Sequence, residues 1–177
     1  MPARILVVED DSFIREVIST TLVDEGYVVD QADDGARAWA YLSQQRPDLV
    51  VLDLGLPLMD GLTVCRNLRL LEETQFRERA PVPPAGQAPG VKPPTDLPSG
   101  SGTDLSSGIG PARTRVLVVS ALNSHRIHKT AIEAGADVFL EKPFDLVDFI
   151  RHVTDLLDGA DVTPSSAGSR IPGKVGT

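Results

Sequence analysis

Short apolar runs alternate along the chain with segments in which apolar residues recur at helical spacing. The runs that predict strands are 4–8, 28–32, 49–53, 116–120 and 138–141. Three of them are nearly unbroken Val, Leu and Ile, which is typical of strands buried on both faces of a parallel sheet. Five strands alternating with helices therefore predict an α/β fold with a doubly wound, five-stranded parallel sheet covered by helices on both faces.

Residues that can cap helices precede the helical segments. The first helix is expected to begin at Asp11 or Ser12 and to carry Phe13, Ile18 and Leu22 on its apolar face. The other predicted helix starts are Asp33 or Asp34, Asp60-Gly61, Ser124 and Asp145. Gly26 is expected to end the first helix, and Pro47 prevents the second from continuing past Arg46.

Two segments have a composition that does not favour a packed core. Residues 75–113 hold 8 Pro, 6 Gly and 4 Ser in 39 residues, and residues 159–177 are similarly rich in Gly and Ser. Such segments bury too little apolar surface to offset the entropy lost on ordering. We therefore expect one domain over 1–158, interrupted by an insert at 75–113 between the third helix and the fourth strand, and a disordered tail at 159–177.

The charge and the cysteine content restrict the class of protein. The 177 residues carry a formal net charge of −8, which disfavours a surface for nucleic acid or anionic membrane. The single cysteine, Cys65, has no partner for an internal disulfide, and the apolar runs are far shorter than the roughly 20 residues of a membrane helix. These features predict a cytoplasmic protein with no membrane partner.

Polar residues follow four of the predicted strands. Glu9 and Asp10 follow the first, Asp53 ends the third, Ser120 ends the fourth, and Lys142 follows the fifth. Because the carboxyl ends of parallel strands meet at one edge of the sheet, these side chains are expected to converge. Clustered carboxylates favour a hard divalent ion such as Mg²⁺, and the ammonium and hydroxyl groups suit phosphoryl oxygens. The pattern therefore indicates phosphoryl chemistry with a carboxylate nucleophile.

Four segments together resemble the receiver domain of bacterial two-component response regulators: 5–11, 53–61, 118–121 and 139–144. The resemblance implies that Asp53 accepts the phosphoryl group and that Lys142 contacts it. It also implies that Glu9, Asp10, Asp53 and the backbone carbonyl of Gly55 hold Mg²⁺. The implied fold is a flavodoxin-like three-layer α/β/α sandwich with strand order 2-1-3-4-5.

The resemblance also implies how a signal leaves the site. Ser120 and Phe139 occupy the positions of the family's switch residues, and they would couple phosphorylation to the face formed by the fourth helix, fifth strand and fifth helix. The bond between Lys142 and Pro143 becomes a candidate for a cis peptide. The expected phosphodonor is a sensor histidine kinase or a phosphotransfer protein, and the chain would catalyse only its own phosphorylation and dephosphorylation.

The 19 residues after the fifth helix are too few for a DNA-binding domain, which favours a stand-alone receiver that contacts a downstream protein target without binding DNA directly. Dimerisation on phosphorylation stays open. Gly55 in place of a longer side chain predicts water access and a comparatively labile phosphate. Two alternatives are a phosphorylation-independent interaction module and a phosphatase with an Asp nucleophile, although the latter would need a second Asp where Gly55 stands. A flavin-binding module is disfavoured because acidic residues follow the first strand.

Overall fold

The computed structural model describes residues 1–79, 113–122 and 124–159. The ten elements are β1 (Arg4–Val8), α1 (Ser12–Asp24), β2 (Val28–Ala32), α2 (Gly35–Gln44), β3 (Leu49–Asp53), α3 (Gly61–Arg79), β4 (Arg115–Ser120), α4 (His125–Glu133), β5 (Val138–Glu141) and α5 (Leu146–Leu157). The five strands form one parallel sheet in the order β2-β1-β3-β4-β5. The predicted fold class, strand order and five strands are confirmed.

Helices cover both faces of the sheet, so the core has two halves. On one face, β1, β3 and β4 pack against α2, α3 and α4 through Leu6, Leu42, Leu52, Val64, Leu68 and Val118. On the other face, the same strands pack against α1 and α5 through Ile5, Ile18, Leu22, Val51, Leu117 and Phe149. The central strands are apolar on both faces because both are buried, as the unbroken Val, Leu and Ile runs predicted.

The helix starts follow the predicted capping residues. Asp11 caps α1 by accepting hydrogen bonds from the backbone N–H groups of Phe13 and Ile14, each at 2.9 Å. Asp34, Ser124 and Asp145 cap α2, α4 and α5 in the same way. A side-chain oxygen at each position satisfies an N–H group that has no partner within the helix.

The apolar face of α1 differs from the prediction at Phe13. Ile18 and Leu22 are buried as expected, but the side chain of Phe13 is 76% exposed. Ile14 packs against the core instead. Ile14, Ile18 and Leu22 lie on one i, i+4 row, and Phe13 lies about 100° away from that row at the helix start.

The helix α3 extends further than expected, to Arg79, and so includes the first five residues of the predicted insert. Residues 72–79 contain Glu, Gln and Arg, which favour helix, and the next helix breaker is Pro81. The remaining insert residues, 80–112, and residues 160–177 of the predicted tail lie outside the described residues. The expectation of disorder in them therefore stays a prediction.

A network around the half-buried Arg69 joins α3 to its neighbours at the edge of the sheet opposite Asp53. Its guanidinium group forms ion pairs with Glu72 at 2.8 Å and with Asp137 at 3.0 Å. It also donates hydrogen bonds to the backbone carbonyls of Gly135 and Thr114. These contacts connect α3 to the start of β4 and to the turn before β5.

Candidate functional site

Three carboxylates meet where β1 and β3 end. Glu9 follows β1 and is 1% exposed, Asp53 is the last residue of β3 and is 8% exposed, and Asp10 is exposed. One oxygen atom from each of the three lies within 4.8 Å of the others. The convergence arises because β1 and β3 are neighbours in the sheet and run in the same direction.

Lys142 directly follows the edge strand β5, and its side chain reaches this cluster. Its ammonium nitrogen donates a hydrogen bond of 2.6 Å to Glu9 Oε2 and one of 2.9 Å to Asp53 Oδ2. The peptide bond from Lys142 to Pro143 is cis, as predicted. β5 is two strands away from β3, and the long side chain of lysine spans that distance.

The burial of these groups changes how readily they ionise. Burial raises the pKa of Glu9, and the hydrogen bond and charge of Lys142 reverse only part of that effect. Burial alone would lower the pKa of Lys142, but the hydrogen bonds to Glu9 and Asp53 outweigh it and the pKa is raised. The raised pKa of Lys142 favours its protonated, positively charged form.

The donor set fits a hard divalent cation. The three carboxylates carry more negative charge than the single ammonium of Lys142 neutralises, and carboxylate oxygens are the ligands that Mg²⁺ prefers. Asp10 is open to solvent, which leaves room for the waters that Mg²⁺ retains. Glu9, Asp10 and Asp53 could therefore hold a metal ion, and this is the one such group of three or more ligands found among the described residues.

The backbone around Asp53 is closely packed on one side and open on the other. The N–H group of Gly55 donates to Asp53 Oδ1 at 3.2 Å, and a Cβ atom at Gly55 would meet no atom closer than 3.9 Å. In contrast, a Cβ atom at Gly61 would lie 2.1 Å from the carbonyl oxygen of Asp53. A side chain therefore has space at residue 55 but not at residue 61.

Ser120 and Phe139 lie on the adjacent strands β4 and β5: Ser120 follows Val119, the register partner of Asp53, and Phe139 pairs with Val118. Ser120 ends β4, is 1% exposed, and accepts a hydrogen bond of 3.2 Å from the N–H group of Leu122 through its hydroxyl oxygen. Phe139 is half-buried in β5 and meets the ring of His128 edge to face, with 5.1 Å between ring centroids. Phe139 thus contacts α4 directly.

Arg15 is a site residue that sequence reasoning missed. It lies in the first turns of α1 and donates hydrogen bonds from Nη1 to the backbone carbonyls of Glu9 at 2.6 Å and Asp10 at 3.2 Å. The available signal was a cation close to the N-terminus of a helix, where the helix dipole disfavours positive charge.

Cys65 is not part of the site. Its thiol is buried in α3 and donates to the carbonyl oxygen of Ala134 at 3.3 Å. Burial raises its pKa, which disfavours the reactive thiolate.

Within the described ranges no helix is long and apolar enough to cross a membrane.

The chain is similar in sequence to response regulators. Residues 5–77 match the family model described as the response regulator receiver domain. The chain is 33% identical over 164 residues to the DNA-binding dual master transcriptional regulator RpaA of Synechocystis, a match covering 93% of this chain and 53% of RpaA. It is also 33% identical over 157 residues to the response regulator MprA of Mycobacterium tuberculosis, covering 89% of this chain and 51% of MprA.

Solved receiver structures share the fold. A CheY-like receiver domain protein from Methanospirillum hungatei superposes with a TM-score of 0.65 at 20% identity, covering 90% of this chain and 96% of that protein. The signal receiver domain of a histidine kinase from Syntrophus aciditrophicus gives a TM-score of 0.63 at 26% identity, covering 95% of this chain and 99% of that domain.

The expectation of a protein that does not bind DNA directly is contradicted by these comparisons. The chain spans about half the length of the curated relatives it matches, and RpaA is named as a DNA-binding regulator. The expectation rested on the shortness of the segment after α5. That length carries no information about output when the similarity covers only half of each relative, so a stand-alone protein is not established either.

Proposed function

We propose that the chain is a phosphorylation-activated switch in which Asp53 accepts the phosphoryl group, since residues 5–77 match the response regulator receiver domain model. The observation that carries this proposal is the double contact of Lys142 with Glu9 and Asp53 beside the exposed Asp10. A buried carboxylate with an adjacent ammonium and a metal-binding acidic pair is suited to phosphoryl transfer, in which positioning and charge neutralisation dominate.

The proposed reaction transfers a phosphoryl group from a phosphohistidine of a sensor kinase or phosphotransfer protein. An Asp53 carboxylate oxygen attacks the phosphorus atom, the phosphorus–nitrogen bond breaks, and the departing imidazole keeps the electron pair and takes up a proton. The product is an aspartyl phosphate. The chain would act on no separate substrate beyond this transfer and the later hydrolysis of its own phosphate.

The residues around Asp53 would share the charge of the transferred group. Glu9, Asp10 and Asp53, with the carbonyl of Gly55, would hold Mg²⁺, which supplies positive charge to the phosphoryl oxygens. Lys142 would supply a second positive charge, since its ammonium already donates to Asp53 Oδ2 at 2.9 Å.

The response to phosphorylation would begin at Ser120. Among the hydrogen bonds of the described residues its buried hydroxyl group acts as the acceptor from Leu122, so its own proton can be donated to a phosphoryl oxygen. A movement of Ser120 would then be followed by Phe139, whose ring touches His128 of α4. This route would link the site to the surface of α4, β5 and α5.

Intact-mass measurement tests the acceptor. The chain is incubated with Mg²⁺ and acetyl phosphate, and we expect one phosphoryl group on the wild type and none on Asp53→Asn. The matched control is Asp60→Asn in the same loop, where Asn can still cap α3 by accepting from the N–H group of Thr63. Adducts on both wild type and Asp53→Asn, or on neither, would reject the assignment.

The phosphatase alternative gains no support from the site. A general acid would be needed two residues after Asp53, and that position is Gly55, whose backbone N–H contacts Asp53. Release of many equivalents of inorganic phosphate from p-nitrophenyl phosphate would favour the phosphatase.

The interaction-module alternative predicts the same partners for wild type and Asp53→Asn after acetyl phosphate treatment.

We propose a transcriptional output, because the similarity to RpaA, named as a DNA-binding transcriptional regulator, extends over 164 residues. Immunoprecipitation of DNA crosslinked to the tagged native protein, in cells carrying wild type or Asp53→Asn, tests this output. Discrete enriched sites that depend on Asp53 would support it, and an absence of enriched sites in both strains would reject it.

A further inference from the structure

Arg15 connects the first helix to the acidic turn that precedes it. Its guanidinium Nη1 donates hydrogen bonds to the carbonyl oxygens of Glu9 at 2.6 Å and Asp10 at 3.2 Å. We propose that Arg15 is a positioning residue that holds the backbone of Glu9 and Asp10 so that their carboxylates can bind the metal ion. This inference rests on the proposed function, since it concerns the metal site of the same switch.

The dipole of α1 disfavours a cation at the position of Arg15, although the carboxylate of Asp11 at the N-cap and those of Glu9 and Asp10 offset part of that effect. Arg15 is the fourth residue of α1, close to the positive end of the helix dipole, and the first turn of α1 contains no acidic residue. Within the described ranges Arg15 forms no ion pair with a carboxylate, although it is only partly exposed. The two carbonyl contacts therefore account for its inward orientation.

The partly buried carbonyl of Glu9 depends on Arg15 for a hydrogen-bond donor, whereas the contact of Arg15 with the carbonyl of Asp10 is exposed to solvent. The N–H group of Glu9 is bonded to the carbonyl of Ala32, but among the hydrogen bonds of the described chain no other group donates to the carbonyl of Glu9 or Asp10. A partly buried carbonyl without a donor favours a change of peptide orientation. Such a change would turn the side chains of both ligands, because they are attached to the peptides that Arg15 holds.

The guanidinium group also has a second effect on metal affinity, which opposes the effect of positioning the ligands. As a positive charge near the acidic cluster, it repels a metal ion and lowers affinity. If charge dominates, removing Arg15 strengthens metal binding. If positioning dominates, removing Arg15 weakens binding, because outer contacts that orient ligands typically change metal affinity by roughly 10- to 100-fold. The direction of the change therefore separates the two effects.

Direct titration of the full chain with Mn²⁺, and then with Mg²⁺, by calorimetry measures the affinity without any phosphodonor. We expect Arg15→Met to weaken binding roughly tenfold. Arg15→Lys is expected to recover part of the loss, because its ammonium can reach one carbonyl but lacks the planar fork. The control is Arg37→Met in α2, which removes the same charge at the same edge of the sheet but loses contacts only to the carboxylates of Asp33 and Asp34, outside the metal site.

Several outcomes would overturn the inference. One is unchanged or tighter metal binding by Arg15→Met. Another is a loss of metal affinity in Arg37→Met equal to that in Arg15→Met, and a third is no measurable metal binding by the wild type. Far-ultraviolet circular dichroism confirms that each variant is folded, and if Arg15→Met is unfolded, weaker binding by a folded Arg15→Lys decides the question. If Arg15→Met binds the metal more weakly but is still phosphorylated at saturating Mg²⁺, the result supports a positioning role over a general loss of structure.

The proposed function can fail separately. Absence of an acetyl phosphate adduct on wild type in saturating Mg²⁺ would reject the phosphorylation switch. The Mn²⁺ affinities of wild type and Arg15→Met would still decide whether Arg15 positions the metal ligands.

Discussion

Replacing Gly61 by Ala tests how closely the loop after β3 packs on the backbone of Asp53. Gly61 is the first residue of α3, and its N–H group donates to the carbonyl of Leu54 at 3.3 Å. An added Cβ would lie 2.1 Å from the carbonyl oxygen of Asp53 and 2.9 Å from Cα of Leu54. Both neighbours are backbone atoms, so no side chain can rotate away to make room.

The size of the effect follows from that distance. Ordinary contacts begin at 3.4 Å, so α3 or the end of β3 must shift by about 1.3 Å. Overpacking of this kind costs about 1–3 kcal/mol. Alanine gains at most about 1 kcal/mol over glycine in a helix interior, and less at the first helical position. We therefore expect Gly61→Ala to lower the free energy of unfolding by about 2 kcal/mol.

Urea unfolding followed by circular dichroism measures this loss. The matched control is Gly55→Ala, where the nearest atoms to an added Cβ are the carboxylate oxygens of Asp53 at 3.9 Å and 4.0 Å. That variant is expected to stay within about 0.5 kcal/mol of wild type, as is usual for substitutions that create no clash. Equal stability of Gly61→Ala and Gly55→Ala would refute the reasoning.

Three further predictions follow from other contacts. Gly55→Glu is expected to lengthen the half-life of the aspartyl phosphate by restricting water, measured as loss of the phosphorylated mass with time; an unchanged half-life would contradict this. Arg69→Met should reduce stability to urea by roughly 3 kcal/mol, because it leaves the half-buried carboxylate of Asp137 with a weaker partner, whereas a loss below about 1 kcal/mol would show that the network contributes little. Burial and the hydrogen bond to Asp30 raise the pKa of Tyr41 to about 12, so absorbance at high pH should show one tyrosine ionising well above the ordinary value of 10.0. The stabilising contribution of the neutral Tyr41 is present below pH 10 and is lost as the pH rises towards 12. Asp30→Asn should lower the pKa of Tyr41, and an unchanged pKa would show that the contact with Asp30 does not raise it.

The strands and helix starts could be predicted because their signals are local. The apolar run at 49–52 in β3 indicates a buried strand whatever lies beside it, and Asp145 caps α5 through the N–H group of Val147 two residues away. Local spacing was less informative for α1, because Phe13 and Ile14 are adjacent and only packing decides which one faces the core.

The site residues could be proposed from sequence because the topology of a parallel sheet places strand ends together. Glu9, Asp10 and Asp53 were predicted to converge for this reason, and their oxygens lie within 4.8 Å of one another. The roles assigned to Ser120 and Phe139 in switching stay predictions, since they concern a second conformation.

The sequence by itself thus determined the elements, the order in which they alternate and the polar residues at the strand ends, because these depend on residue type and short-range spacing. Only the tertiary structure decided that Lys142 bridges Glu9 and Asp53, that Arg15 turns back to the carbonyls of the acidic turn, and that Gly61 touches the backbone of Asp53. Each of these contacts joins separate elements, and its length depends on how strands and helices pack and where side chains point, which no local pattern specifies.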